Sequence, residues 1–134
     1  EFIGSPSMNF LEFNGTVSKN TDSVALDGVH MSIPKIRHGA NGALTFGIRP
    51  EHISFKDSAE YRGRVIATEY LGTTQIVVLG TPNGVVKARI ASSETVTIGE
   101  IIGLDFHPGT VSLFDAKSGK ALVSEANEGV LGGG

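Results

Sequence analysis

Cysteine and tryptophan are absent from this 134-residue chain, and tyrosine occurs only twice. Without cysteine there is no disulfide framework and no thiolate nucleophile, a composition compatible with a reducing compartment. Basic residues are outnumbered, 11 against 14 acidic ones, leaving a formal net charge of −3. Nucleic-acid barrels need a basic face and stacking aromatics, so this balance points away from them. No stretch approaches the roughly 18 consecutive apolar residues of a membrane-spanning helix. No charged start followed by an apolar run marks a secretion signal.

Catalytic signatures are missing too. A phosphate-binding loop needs glycines followed by Gly-Lys-Ser/Thr, whose backbone cradles the phosphates, and no such string occurs. No serine stands between glycines in the elbow spacing of a nucleophile. The four histidines, His30, His38, His52 and His107, form no helical pair and have no carboxylate at ligand spacing. The reading for these residues is no catalytic group, no cofactor and no metal.

What the chain has in quantity is glycine, 18 residues, with five prolines and 40% apolar residues. That punctuation favours one domain of many short strands and turns over long helices. Strands are expected at 10–17, 23–26 and 29–33, the latter two joined at Asp27-Gly28, a two-residue hairpin pair. Asn14-Gly15 reads as a turn. Leu44, Phe46 and Ile48 alternate on one face of a further strand. Residues 62–90 form a three-stranded meander, with Gln75–Leu79, continuously apolar from Ile76 on, a run of the kind covered on both faces. Strands at 102–106, 110–114 and 120–123 complete about ten. The fold class is all-β, a small barrel of short antiparallel strands with little helix. Its core is expected to include Ile76 and Val78 with Val86, Ala88, Ile90, Ile102, Leu104 and Phe106.

The chain is organised around Phe46-Gly47-Ile48-Arg49-Pro50-Glu51-His52-Ile53. Pro50 lacks a backbone donor and biases Arg49 towards extended backbone, so the strand ends there. Pro50-Glu51-His52 suits the first turn of a short helix. One cation and one anion therefore sit at a tight corner, and an ion pair there would serve the fold as well as a ligand.

This string resembles the signature of the TOBE (transport-associated OB) domain, found at the C-terminus of ABC-importer ATP-binding subunits of the maltose and glycerol-3-phosphate type. Three further strings resemble the same family in the same order. Phe2–Leu11 looks like the junction after the ATPase domain, Glu69-Tyr70-Leu71-Gly72 like a strand end, and Phe106-His107-Pro108 with Leu113-Phe114-Asp115 like the closing hairpin. The resemblance implies OB-like barrel units and a division into a junction at 1–9, a regulatory domain at 10–123 and a flexible tail at 124–134. It implies a non-catalytic regulatory and dimerisation role, with ATP and magnesium handled by an ATPase domain preceding residue 1. Implied partners are a second copy, permease subunits and a regulatory protein, at the cytoplasmic face of the inner membrane. Contact candidates are Arg49, Glu51, His52, Glu69, Leu71 and Gly72.

Two alternatives stand beside this. A small-ligand module for an oxyanion or sugar would take its charge from Arg49 and the Lys35/Arg37 loop. A nucleic-acid barrel would need Arg62, Arg64, Lys87 and Arg89 to form one basic groove. The simpler reading of these cations is a solvated sheet face, and His107 before Pro108 reads as the cap of a turn.

Overall fold

Alternating apolar residues build ten strands among the described residues, 7–129 of the computed structural model, and every pairing is antiparallel. β1 (Asn9–Val17), β4 (Ala40–Ile48) and β10 (Ser112–Asp115) form a sheet in the order β1-β4-β10. β2 (Ser23–Leu26) and β3 (Val29–Ser32) form a hairpin. Its Asp27-Gly28 turn has φ of 49° and 79°, the left-handed pair that matches strand twist. β5 (Ile53–Phe55), β6 (Arg62–Leu71), β7 (Thr74–Thr81), β8 (Gly84–Ala91) and β9 (Ile101–Phe106) form the main sheet, ordered β5-β9-β6-β7-β8. The only helical elements described are two 3₁₀ turns, Pro50–His52 and Pro108–Thr110. The expected all-β architecture is present.

One continuous apolar core joins the sheets, with Leu11, Phe46, Ile48, Val77, Leu79 and Leu104 at its centre. β8 would otherwise be an open edge of the main sheet, and open edges invite unwanted pairing. Asn9 covers it. Its Nδ2 donates to the Lys87 carbonyl at 2.9 Å, and its Oδ1 accepts from the Lys87 N–H at 2.8 Å. A side-chain amide thus supplies one rung of a missing strand. Asn83 Nδ2 donates to the Glu12 carbonyl at 3.0 Å, tying the β7–β8 turn to β1. The Tyr61 hydroxyl, on a side chain 2% exposed, donates to Asn83 Oδ1 at 2.7 Å and lies 3.0 Å from Thr81 Oγ1.

Several expectations are corrected. Asn14-Gly15 is not a turn: both residues lie inside β1, paired with Ala43 and Gly42, because the flanking alternation outweighs local turn chemistry. On β7 the buried residues are Gln75, Val77 and Leu79, while Ile76 and Val78 are only partly covered. A run of apolar residues carries no parity of its own, so the inward set could not be read from the run. Residues 53–55 form β5 against β9, whereas 120–123 give no strand, only a bridge from Ala121 to Phe114. Residues 124–129, expected as tail, are docked. Ser124 bridges Ile36, and Arg37 meets the Glu128 carboxylate with Nε–Oε2 at 2.9 Å and Nη2–Oε1 at 3.2 Å. Residues 130–134, and residues 1–6 of the expected junction, lie outside the described residues.

Candidate functional site

The Arg49–His52 corner forms as its sequence dictates. Arg49 is extended, with φ −79° and ψ 149°, Pro50 occupies the first turn and is buried, and the Ile53 N–H closes back onto the Pro50 carbonyl. The His52 N–H donates to the Arg49 carbonyl at 3.0 Å. The His107 N–H then donates to the His52 carbonyl at 3.0 Å, adding one rung beyond Ile53↔Phe106 in the β5–β9 ladder. The two imidazoles are 6.4 Å apart, and His52 Nδ1 is buried without a partner. Glu51 points to solvent. His107 does cap the turn it precedes, but through its carbonyl, which accepts from the Thr110 hydroxyl at 2.7 Å; its imidazole makes no cap bond.

Glu69, Leu71 and Gly72 lie elsewhere. β6 begins beside β9, where Arg62 faces Gly103, and runs away from the histidine corner to the β6–β7 turn. Gly72 sits in that turn at φ 78°, a conformation that favours glycine. The six candidates therefore form two groups, one at the Arg49–His52 corner, whose turn packs against β8, and one at the β6–β7 turn.

The second group belongs to a larger feature. On β6–β7–β8 the outward residues line up in rungs across three strands: Leu71–Thr74–Ala91, Glu69–Ile76–Arg89 and Ala67–Val78–Lys87. Then comes a bulge at Ile66 and the rung Arg64–Gly80–Val85, with Ile101 beside Arg64. Ile66, Leu71, Val85 and Ile101 are each about half exposed, at 49, 50, 57 and 48%. Four of the seven exposed large apolar side chains among the described residues thus share one face. A surface scattered with single apolar residues is ordinary; an aligned group on one sheet face is the pattern of an interaction surface. Sequence reasoning named Glu69 and Leu71 here but missed Ile66, Val85, Ile101 and Arg89 as their companions. The alternation of Val85, Lys87 and Arg89 against Val86, Ala88 and Ile90 carried part of that signal.

The cations are largely occupied in holding loops. The Arg62 guanidinium donates to the carbonyls of Asp57, Ala59 and Ile101, and Arg64 donates to that of Gly99. Arg37 is engaged by Glu128, and the Lys35 N–H donates to Glu125 Oε2 at 3.0 Å. Within the loop proposed to supply charge to an oxyanion, the Arg37 guanidinium is therefore already paired with a carboxylate. A shallow cleft of about 310 Å³ between β1 and the loop after β10 carries Glu12 and Asp115 beside Phe10, Thr45 and Phe114, a setting that repels anions. Among the described residues no group of three His, Cys, Asp or Glu is placed to hold a metal, and no helix is long and apolar enough to cross a membrane.

Comparison with known proteins adds the family dimension. The TOBE domain model matches residues 46–114, and the MalK OB fold domain model matches residues 4–53. The chain is 33% identical over 131 residues to the sn-glycerol-3-phosphate import ATP-binding protein UgpC of Yersinia enterocolitica, covering 92% of this chain and 36% of that protein. It is 32% identical over 126 residues to UgpC of Escherichia coli O157:H7, covering 90% and 35%. To the multiple sugar-binding transport ATP-binding protein MsmK of Streptococcus mutans it is 29% identical over 132 residues, covering 90% and 35%. The chain spans about a third of the length of the curated relatives it matches.

Proposed function

We propose, from the premise that this chain belongs to the TOBE domain family, that it is the regulatory and dimerisation part of the ATP-binding subunit of an importer for sugars or glycerol-3-phosphate-like solutes. Its role is non-catalytic. ATP and magnesium would be bound by the remaining length of the subunit, which would contact the permease subunits at the cytoplasmic face of the membrane.

The observation that carries this reading is the aligned, half-exposed apolar face of β6–β7–β8, on a barrel whose β8 edge is met by Asn9 at Lys87. A rigid barrel with one sticky face works as a handle. Two handles in contact keep two catalytic halves at high effective concentration while those halves open and close. A regulator that prefers one state of the pair would shift the whole subunit.

The test is the mass of the 134-residue chain across micromolar to millimolar concentration, with ATP turnover assayed on the same samples. Dimerisation without turnover is the expected result. Turnover above background would overturn the non-catalytic reading, and a strict monomer would overturn the dimerisation reading.

A further inference from the structure

The outward face of β6–β7–β8 is not only apolar; its charges are arranged so that it complements itself. Glu69 and Arg89 occupy one rung, on either side of Ile76. Consider a second copy laid face to face, related by a two-fold axis running between the faces along β7. The axis carries β6 of one copy over β8 of the other. Ile76 then meets Ile76 and Val78 meets Val78 at the centre. Each Glu69 meets the Arg89 of the second copy, and the contact occurs twice by symmetry. Leu71 falls opposite Ala91, and Val85 opposite the Arg64 stem, whose guanidinium is held back by the Gly99 carbonyl.

We infer that this face is the contact between two copies of the chain, with the two-fold axis over Ile76 and Val78 and the Glu69–Arg89 pairs at its sides. The inference rests on the dimerisation reading above and names its surface and register. Three features favour a second copy over another partner. An anion and a cation at matching distances from an apolar centre suit the identical face and no particular other one. The remaining outward cation of these three rungs, Lys87, falls opposite the small Ala67 rather than another charge. The face is also small. Eight residues by three strands span about 26 Å by about 10 Å between outer strand axes, which belongs to the weak, transient class of interfaces. A two-fold contact makes each favourable pair twice, which lets so small a face hold a weak dimer of the isolated chain.

The experiment is sedimentation of four forms of the 134-residue chain over a concentration series: wild type, E69R, R89E and the double exchange E69R/R89E. Each single reversal turns two attractive contacts into two repulsive ones and is expected to weaken the dimer about tenfold or more. The double exchange restores both pairs and is expected to return the dimer to within a few fold of wild type. That recovery separates pairing from damage to the fold. A wild-type dimer that ignores the single reversals, or a double exchange no better than the singles, overturns this face while leaving dimerisation standing. A monomeric wild type overturns the dimerisation reading itself.

Discussion

The two faces of β7 differ as sharply as any two regions of the molecule. Gln75, Val77 and Leu79 are fully buried, while Ile76 and Val78, interleaved with them, face outward and are only partly covered. Both sets are rich in apolar side chains. A strand of this composition expects cover on both sides, and this chain supplies cover on one. On the reading proposed above, the inner face specifies the barrel and the outer face an association. Substitutions on the two faces should therefore separate stability from assembly.

The largest expected effect is on the inner face. Leu79→Ala should destabilise the fold by about 3 kcal/mol, through lost burial and the cavity left behind, as read by urea denaturation. Gln75→Leu comes next. The Gln75 Nε2 donates to the Ala91 carbonyl at 3.2 Å and the Glu94 carbonyl at 2.7 Å, while its Oε1 is buried without a partner. Leucine removes that unsatisfied oxygen but strips both carbonyls of their donor. A net loss of about 1–2 kcal/mol is expected; a gain in stability would mean that the orphaned oxygen outweighs both bonds.

Tyr61→Phe should cost about 1 kcal/mol, since it removes the hydroxyl bond that ties the barrel end to Asn83. Burial pushes the Tyr61 phenol above its ordinary value of 10.0, opposed by its hydrogen bonds to Thr81 and Asn83. A raised value means the contribution is fully present below about pH 10 and is lost as pH rises through the folded-state value. The phenylalanine variant should lack that alkaline loss, which denaturation curves at pH 9 and above would show.

On the outer face, the partly covered Ile76→Thr should cost about 1 kcal/mol, far less than Leu79→Ala, yet abolish concentration-dependent mass in sedimentation. The smallest effect belongs to the docked segment after β10. The Arg37 hydrogen bond holds the Glu128 carboxylate below its ordinary value of 4.5, with desolvation acting against it. Its contribution is therefore present above about pH 4.5 and lost as pH falls through the lowered value. Both groups are solvent-exposed, so global stability should barely respond. Hydrogen exchange at the Glu125 and Glu128 amides, which donate to the Lys35 and Ser124 carbonyls, should quicken in R37M and below pH 4.

Much of this architecture is legible in the residues themselves. The Asp27-Gly28 hairpin, the Arg49-Pro50 corner and the 62–90 meander follow from turn chemistry and alternation. The strands carrying Leu44, Phe46 and Ile48, and Val86, Ala88 and Ile90, declare their inward sets because their other positions hold polar or small residues. β7 does not, since every residue from Ile76 to Leu79 is apolar and only the partner strands decide which way each points. β5 escaped notice because three residues give too short a pattern, and its pairing with β9 is non-local. The docking of residues 124–129 depends on Ile36 and Arg37, far away along the chain, a distance no local signal spans. As for the site, Glu69 and Leu71 were readable as candidates. Their alignment with Ile76, Val85 and Arg89 depends on register across three strands, which only the fold supplies.

The most direct test of this account is the concentration dependence of methyl chemical shifts along β7, recorded by NMR on the wild-type chain. Shifts that move with concentration at Ile76 and Val78, with Val77 and Leu79 unchanged, would bear out an outer face covered by a second copy. Shifts independent of concentration at Ile76 and Val78 up to millimolar protein, or movement confined to the histidine corner, would contradict it.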